Sequence, residues 1–181
     1  MVTSITPELL HTLTDCPTTD IAASWPYVVA ALQEFHCYTR ETVIAAIATL
    51  TVECRFKPVA EAWWLGEAAR NAYYDTTAYG KVNPTTGQRY FGRGLIQLTW
   101  DYNYATYGKA LGVDLTNHPE IALEYHTSAR VLAKFFVDHG TVTAAHAGDW
   151  QQVRRSVNGG LNGWEVFDKV VLAAAKAIEA V

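Results

Sequence analysis

The sequence of 181 residues predicts a mainly α-helical domain with a small lobe of loops and a β-hairpin. Apolar residues recur at helical spacing along most of the chain. The exception is the segment 75–98, where glycine, proline, asparagine and threonine are concentrated and the helical spacing is lost. Half of the residues are hydrophobic and 18% are charged, so the chain is expected to fold rather than stay disordered.

Start signals divide the first half of the chain into helices. Pro7 is expected to open a short first helix, and Ser24 to cap a second one. Residues 40–53 are almost entirely apolar, which predicts a buried central helix. Pro58 is expected to begin the next helix, which runs to about Tyr73, because proline suits the first position of a helix.

The second half of the chain returns to the helical pattern. Helix resumes near Trp100, and a long amphipathic helix is expected over residues 118–138, closed by a glycine. Residues 149–158 predict a short helix that is capped by its first residue, an aspartate. Asn162 with Glu165 resembles a capping box, so the last helix is expected to start there.

Length and charge restrict the organisation and the partners of the protein. A chain of this length is expected to form one domain over residues 1–181, with residues 1–38 as an N-terminal helical extension of it. The net charge is −4, and the sequence shows no basic face suited to nucleic acid. No stretch reaches the roughly 18 apolar residues that a membrane span requires. We therefore expect a monomer with no nucleic-acid partner and no membrane insertion.

Cysteine and histidine usage bears on redox state and metals. The cysteines are Cys16, Cys37 and Cys54. An odd number, without an apolar secretory leader, indicates reduced thiols and synthesis in a cytosol. The histidines show no metal-binding spacing such as His-Glu-x-x-His. No metal or cofactor is therefore expected, and Cys37 and Cys54 are expected to be small core residues.

Glu53 and Glu61 stand on either side of a short turn between two apolar segments. Glu53 closes the first apolar run, where a carboxyl group is costly unless it is paired or used in chemistry. The carboxyl end of a helix disfavours a carboxylate, whereas the amino end predicted for Glu61 favours one. Two acids in such different environments suit a general acid and a general base. The structural alternative pairs Glu53 with Arg55 or Lys57 and leaves Glu61 on a solvated face.

A glycine-containing motif occupies residues 90–100 and reads Tyr-Phe-Gly-Arg-Gly-Leu-Ile-Gln-Leu-Thr-Trp. Its two glycines let the backbone on either side of Arg93 approach another group closely. Gln97 and Thr99 alternate with apolar residues, so both can face one side of an extended stretch and hold a water or a sugar hydroxyl. The alternative is a tight turn followed by an edge strand.

Aromatic and amide side chains surround this motif. Rings such as those of Trp63 and Tyr90 suit stacking on sugar faces, although rings also fill cores. Asn103 follows the motif, and Asn158 lies in the turn Asn-Gly-Gly-Leu-Asn-Gly at 158–163. Because that turn also fits a helix end joined to a helix start, Asn158 has both a structural and a ligand-binding interpretation.

The motif at 90–100 and the sequence Val-Asn-Gly-Gly-Leu-Asn-Gly at 157–163 together resemble family 19 glycoside hydrolases. The likeness is greater to their phage endolysin branch, which degrades peptidoglycan, than to plant chitinases. It covers roughly residues 40–175 and implies a lysozyme-like, two-lobed, mainly α fold with a cleft between the lobes. The chain departs from the family at residues 52–55, where a valine precedes the expected acid and Cys-Arg follow it in a turn one residue shorter.

The resemblance implies a role for each candidate residue. Glu53 matches the family's general acid at a helix end, and Glu61 matches its second acid, which activates water. Thr99 and Gln97 match the residues that hold the attacking water or the sugar. The residues expected to bind substrate are Gln97, Asn103, Tyr90, Arg93, Asn158 and Trp63.

The function implied by the resemblance is that of a muramidase domain of a phage endolysin. It would hydrolyse β-1,4 bonds between N-acetylmuramic acid and N-acetylglucosamine in peptidoglycan glycan strands, with inversion. It would be made in a bacterial host cytoplasm without a signal peptide and released to act on the cell wall, leading to lysis. Three alternatives stay open: a chitinase, a lytic transglycosylase that works with one acid, and an inactive glycan-binding module.

Overall fold

A computed structural model describes residues 5–179 of the chain. Its α-helices are α1 Pro7–Thr14, α2 Thr18–Glu34, α3 Arg40–Glu53, α4 Glu67–Thr76, α5 Asp101–Leu111, α6 Tyr125–Asp138, α7 Thr141–His146, α8 Trp150–Asn158 and α9 Trp164–Ala177. A 3₁₀ helix spans Pro119–Leu123, and two short strands are β1 Val59–Ala60 and β2 Arg93–Gly94. The predicted fold class, mainly α with a small β-containing lobe, is confirmed. Within this part of the chain, no helix combines the length and the apolar character of a membrane span.

Helix α3 lies at the centre of the larger lobe. Every residue from Thr42 to Thr51 is buried. A helix that is apolar on all sides is stable only when other elements cover it completely. Helices α1, α7, α8 and α9 pack around α3 and provide this cover. The prediction of a buried central helix is confirmed, and the last residue of that helix is Glu53.

A second, smaller core lies in the other lobe. Its buried side chains are Tyr90, Leu98, Tyr104, Tyr107, Leu111, Leu115, Ala122 and Val131. The rings of Tyr90 and Tyr104 pack against each other with their centroids 5.3 Å apart. The two cores correspond to the two lobes that the sequence predicted.

The two strands join segments that are far apart in the sequence. They pair antiparallel, with Val59 opposite Gly94 and Ala60 opposite Arg93. A tight turn then brings the chain back, and the backbones of Arg93 and Leu98 exchange hydrogen bonds of 3.1 and 2.8 Å. The lobe that contains the loops of residues 75–98 is thereby joined to the segment that follows α3.

The helix predicted from Pro58 to Tyr73 is wrong in its first half. After Pro58 the chain forms β1 and a series of turns, and α4 begins only at Glu67. The backbone N–H of Glu61 donates to the carbonyl of Gly92 at 2.7 Å, which extends the strand pairing. Pairing with the loop lobe therefore outweighs the preference of proline for a helix start.

Two further helix starts differ from the prediction. Helix α2 begins at Thr18, so Ser24 lies inside this helix and does not cap it. Residues 118–138 do not form one helix, because the backbone of Glu124 is extended between the 3₁₀ helix and α6. A single extended residue is enough to change the direction of the chain, and the amphipathic pattern alone does not reveal it.

Of the caps predicted for the last two helices, one is confirmed and the other is wrong. The aspartate cap of α8 is confirmed, since Asp149 accepts the backbone N–H of Gln152 at 3.0 Å. The capping box at Asn162 and Glu165 is wrong, because α9 starts after Gly163 without a side-chain cap. Gly163 has a φ of +74°, a left-handed conformation that glycine adopts without steric cost.

Candidate active site

Glu53 is the last residue of α3, and its side chain is 14% exposed. Its Oε1 forms an ion pair with Nη1 of Arg154 on α8. Arg154 is 2% exposed, and its Nε also donates to the carbonyl of Asn162 at 2.7 Å. The pair is largely removed from water, so loss of either partner would leave a buried charge without compensation. The partner is thus Arg154, and not Arg55 or Lys57 as the structural interpretation of the sequence supposed.

A cavity of about 430 Å³ opens beside Glu53. Its lining residues are Asp20, Val52, Glu53, Cys54, Arg55, Lys57, Val59 and Trp63. The Oε2 atom of Glu53 accepts no hydrogen bond from any residue between 5 and 179, so this oxygen is available to a ligand. Trp63 is 60% exposed and presents its ring on the wall of the same cavity.

Glu61 follows β1 and is held by neutral hydrogen-bond donors. Its Oε1 accepts the hydroxyls of Tyr73 at 2.9 Å and Tyr79 at 2.7 Å. Its Oε2 accepts the backbone N–H of Gly92 at 3.2 Å. Its backbone carbonyl accepts the hydroxyl of Tyr74 at 2.5 Å, which fixes the main chain at this residue. Three donors without formal charge therefore orient this carboxyl group.

The prediction that a helix amino end supports Glu61 is wrong, since β1 and turns surround it. The two tyrosines supply the donors instead. Burial and the hydrogen bond to Glu61 raise the pKa of Tyr79, and the hydrogen bond to Glu61 raises the pKa of Tyr73. Both hydroxyls therefore keep their protons, and remain donors, well above neutral pH.

Gln97 and Thr99 share a second cavity, of about 420 Å³, with Glu61. Its lining residues are Glu61, Tyr79, Gly92, Gln97, Thr99 and Trp100. Nε2 of Gln97 donates to the carbonyls of Val59 at 2.8 Å and Gly94 at 3.2 Å. The hydroxyl of Thr99 donates to the carbonyl of Gln97 at 2.7 Å. With these hydrogens used, Oε1 of Gln97 and Oγ1 of Thr99 are left as acceptors for a water or a sugar hydroxyl.

The two cavities are neighbours, connected through β1. Val59 lines the Glu53 cavity, and its carbonyl holds the amide of Gln97, which lines the Glu61 cavity. Glu61 itself stands directly after β1. The structure thus gathers the two acids, the glutamine and the threonine around one short strand.

Steric contacts explain the two glycines of the motif at 90–100. A β-carbon on residue Gly92 would lie 2.7 Å from Oε1 of Gln97 and 3.3 Å from Oγ1 of Thr99. Gly94 has a φ of +93°, and a β-carbon there would lie 2.6 Å from Oγ of Ser128. The first glycine therefore leaves room for the polar side chains of the second cavity, and the second allows the turn.

Left-handed backbone conformations are concentrated around these cavities. Between residues 5 and 179, the non-glycine residues with positive φ include five at or beside cavity-lining positions: Arg55, Phe56, Ala62, Gln97 and Trp100, with φ values of 51°, 67°, 53°, 55° and 75°. Such conformations cost roughly 1–3 kcal/mol each and persist only where the surrounding structure fixes them. Clusters of such conformations are typical of active sites and ligand-binding sites.

The family model of chitinase class I, glycoside hydrolase family 19, matches residues 61–166, more than half of the chain. The chain belongs to this family. The matched segment contains Glu61, the glycine motif and Arg154, and it begins after Glu53. The pairing of Arg154 with Glu53 therefore connects the matched segment to the end of α3.

Curated relatives of this family 19 chain are plant chitinases. Endochitinase At2g43610 of Arabidopsis thaliana is 32% identical over 138 residues, which is 70% of this chain and 49% of the relative. Endochitinase 1 of Theobroma cacao is 60% identical over 35 residues, 19% of this chain and 11% of the relative. The chain thus spans about half the length of the first of these relatives, and less of the second.

Solved structures of family 19 chitinases have the same fold. A bacterial family 19 chitinase aligns with a TM-score of 0.66 at 18% identity, covering 94% of both chains. Chitinase C from Streptomyces griseus aligns with a TM-score of 0.64 at 19% identity, covering 94% of this chain and 76% of that chain. At such identities the likeness establishes the architecture of this family 19 chain and nothing finer.

Gln97 and Thr99 also line a third and smaller cavity, of about 150 Å³. Asn103 lines it, and its Nδ2 donates to the carbonyl of Thr99 at 2.9 Å. Tyr107 also lines it, and its buried hydroxyl has no hydrogen-bond partner among the residues that the structure describes. A water or a sugar substituent that entered this cavity would supply the missing partner.

The remaining predicted binding residues lie elsewhere. Tyr90 is 2% exposed, and its hydroxyl donates to the carbonyl of Thr116 at 2.8 Å. Arg93 is buried, with its guanidinium carbon 3.5 Å from the ring centroid of Phe91. Asn158 is the exposed last residue of α8 and lines none of the three cavities. Substrate contacts of these three residues stay predictions, and the contacts observed for Tyr90 and Arg93 are internal.

Arg154 and the donor roles of Tyr73 and Tyr79 are not among the site features predicted from the sequence. Arg154 could have been found, because helical spacing places it on the apolar side of α8 with Val153 and Val157. A buried arginine requires an anionic partner, and Glu53 was the acid in need of one. The two tyrosines carried no comparable signal, since rings are as suited to stacking and to cores.

The cysteines take no part in this chemistry. All three are free and buried, as expected of core residues. Burial raises the pKa of Cys54, beside Glu53, to about 12, and that of Cys37 to about 11. Such thiols carry almost no thiolate at neutral pH and are poor nucleophiles. Between residues 5 and 179, no three histidine, cysteine, aspartate or glutamate side chains are grouped so as to hold a metal ion.

Proposed function

We propose that this protein is a glycosidase that hydrolyses β-1,4 bonds of an N-acetylated glycan, with Glu53 as general acid and Glu61 as general base. One observation carries the proposal: two carboxyl groups with different partners line neighbouring cavities, and the free acceptors of Gln97 and Thr99 lie in the cavity of Glu61. Membership of a glycoside hydrolase family agrees with it. Paired acids of unlike environment are the machinery of glycoside hydrolysis.

Glu61 is placed to accept a proton from water. Its carboxylate is oriented by Tyr73, Tyr79 and Gly92. A water in this cavity would donate one hydrogen bond to the free acceptors of Gln97 and Thr99 and the other to the carboxylate of Glu61. During the reaction, the second of these protons is transferred to Glu61. The base thus deprotonates the attacking water, and the resulting oxygen bonds to the anomeric carbon as the glycosidic bond breaks.

Glu53 is placed to give a proton to the leaving sugar oxygen. The guanidinium of Arg154 binds Oε1, and Glu53 lines the cavity in which the proton must be delivered. Glu53 enters the step with the proton on Oε2. The proton passes to the glycosidic oxygen, the electron pair of the broken bond stays with that oxygen, and the carboxylate left on Glu53 is paired with Arg154. Orientation by a buried partner keeps the acid within reach of the bond without competing for Oε2.

The glycan we propose is peptidoglycan, cleaved between N-acetylmuramic acid and N-acetylglucosamine, with inversion at the anomeric carbon. The protein would act as an endolysin muramidase, made in the cytoplasm of a bacterial host and released to lyse the cell wall as a monomer. The motifs at 90–100 and 157–163 support this choice through their likeness to endolysins. Chitin is the second candidate, favoured by the chitinases among the relatives.

Mass analysis of digests tests the proposal. Purified peptidoglycan and chitin are incubated with the protein, and the new ends are identified. We expect muropeptides with N-acetylmuramic acid at the new reducing end, and we expect NMR spectra of the first products to show the anomeric form opposite to that of the substrate bond. Soluble N-acetylglucosamine oligomers from chitin alone would show a chitinase, anhydro-muramyl ends a transglycosylase, and binding without new ends an inactive module.

A further inference from the structure

The turn after Glu53 brings two cations into the Glu53 cavity. Arg55 and Lys57 both line this cavity, and both are exposed. Between them, Phe56 is fully buried, and its ring meets that of Trp25 edge to face with centroids 6.3 Å apart. Alternation along the turn therefore sends Phe56 into the core and the two cations toward the ligand space.

The backbone of the turn is fixed in an uncommon conformation. Arg55 and Phe56 have φ values of 51° and 67°, both in the left-handed region that favours glycine. The N–H of Phe56 donates to the carbonyl of Leu50 at 3.4 Å, and that of Lys57 to the carbonyl of Cys54 at 3.1 Å. The buried ring and these hydrogen bonds hold the strained turn, so the starting points of both cationic side chains are set by the core.

Charge in this cavity is not balanced from within the protein. Glu53 compensates neither cation, because it is paired with Arg154 when ionised and is neutral when it carries the proton that it donates. Neither Arg55 nor Lys57 forms an ion pair with any residue of the described range 5–179, and Arg55 donates only to the carbonyl of Asp15, at 2.5 Å. Asp20 offsets one of the two cations, so the cavity keeps a positive charge in excess.

The positive charge of the Glu53 cavity suits a substrate that carries carboxylates. Chitin carries only neutral hydroxyl and acetamido groups, and a cation gains little from it. Muramic acid carries a lactyl group, and peptidoglycan therefore presents carboxylates, either on the lactyl group itself or on the peptide attached to it. Charge-assisted hydrogen bonds from arginine or lysine to carboxylates are stronger than neutral ones.

We propose that Arg55 and Lys57 bind a carboxylate of the muramoyl substituent next to the bond that Glu53 protonates, and so select peptidoglycan over neutral N-acetylated glycans. The inference rests on the proposed glycosidase function. It assigns the specificity to the segment in which the sequence departs from its family, residues 52–55 with the lysine that follows. The rival explanation is that the cations merely stabilise the carboxyl end of α3.

The test compares the wild type with Arg55→Gln, Lys57→Met and the double variant on three substrates. These are intact peptidoglycan, its glycan strands after removal of the peptides by an amidase, and the same stripped strands with their lactyl carboxylates converted to methylamides. We expect the double variant to lose about 10- to 100-fold in kcat/KM, chiefly through KM, on substrates that carry the recognised carboxylate. Its rate on the amidated strands should stay within about twofold of the wild type.

Lys109→Met is the matched control. Lys109 is an exposed lysine in the last turn of α5, and it lines none of the cavities described. It should leave all three rates unchanged. Urea unfolding of every variant checks folding and reports any role of the cations at the end of α3.

The outcomes separate the possible failures. A loss on stripped strands identifies the lactyl carboxylate, and a loss confined to intact peptidoglycan identifies a peptide carboxylate; both support the inference. Equal losses on charged and amidated strands, or a loss of stability with unchanged selectivity, would overturn it. If the wild type cleaves none of the three substrates, the peptidoglycan function itself fails, whatever the variants do.

Discussion

The surroundings of Glu53 and Glu61 differ in the kind of group that holds each carboxyl. Glu53 ends the buried helix α3 and is bound on one oxygen by a buried guanidinium. Glu61 follows β1 and is bound on both oxygens by hydroxyl and amide donors without formal charge. The first arrangement fixes direction and leaves one oxygen free, whereas the second engages both oxygens and leaves one acceptor position on Oε2 of Glu61.

One small domain thus gives an acid and a base different partners: a buried cation for Glu53 and uncharged donors for Glu61. The cation at Glu53 comes from α8 and requires the larger core for its burial. The donors at Glu61 come from α4 and the loop that follows, and their protons stay bound because the pKa values of Tyr73 and Tyr79 are raised. Each region can therefore be changed by substitution without rebuilding the other.

The largest expected effect is the loss of either acid. Glu53→Gln and Glu61→Gln should each lower the rate on the natural glycan by at least about 10²-fold, because general acid–base catalysis contributes roughly 10²–10⁴-fold. An aryl glycoside with a good leaving group distinguishes them, since such a group departs without protonation. Glu53→Gln should recover much of its rate on this substrate, and Glu61→Gln should not. Recovery by both variants, or by neither, would contradict the assigned roles.

Removal of Arg154 should have the next largest effect. Arg154→Met leaves Glu53 without its partner and should lower the free energy of unfolding by about 3–5 kcal/mol, measured by urea denaturation. Adding Glu53→Gln to Arg154→Met should restore part of that loss. Arg155→Met is the control, because the side chain of Arg155 is exposed and, among residues 5–179, bonds only to Gln151, so its change should stay within about 0.5 kcal/mol. A loss below about 1 kcal/mol for Arg154→Met would show that the pair does not act as a buried ion pair.

Thr99 should show a smaller effect that depends on its hydroxyl. Thr99→Val removes the acceptor that lies beside Glu61 and should lower kcat by about 10- to 100-fold, the range expected for loss of one hydrogen bond to a reacting group. Thr99→Ser keeps the hydroxyl and should retain most of the activity. Initial rates of reducing-end release measure both variants. Equal losses in the two variants would contradict this role, because Thr99→Ser keeps the hydroxyl.

The smallest expected effect concerns Tyr79 at alkaline pH. Its pKa is raised on folding, so the stabilisation from its protonated hydroxyl is complete below its unfolded pKa of about 10 and is lost as pH rises further. Tyr79→Phe should therefore weaken the decline of stability above about pH 10, followed by urea midpoints at increasing pH. Tyr102→Phe is the control, because the hydroxyl of Tyr102 donates to no residue in the described part of the chain. An identical decline in wild type and Tyr79→Phe would refute the donor role.

Several parts of the site could be predicted because their signals are local. The apolar run over 40–53 specifies a buried helix, and its last residue is Glu53. The alternation of Gln97 and Thr99 places both on the wall of one cavity. The aspartate cap of α8 needs only its own first turn. In each case the controlling distance along the chain is a few residues, so composition and spacing are sufficient.

Apolar spacing and turn-forming residues were sufficient to predict a helical domain with an irregular lobe, the end of the central helix at Glu53 and the glycine motif beside the second acid. The pairing of Arg154 with Glu53 across 101 positions, and the strand β1 after Pro58 in place of a helix, result from contacts between distant segments. So do the hydrogen bonds by which Tyr73 and Tyr79 hold Glu61. The reason is physical: helix periodicity and caps are fixed by neighbours in the chain, whereas strand pairing and buried ion pairs depend on which distant segments come together when the two cores form.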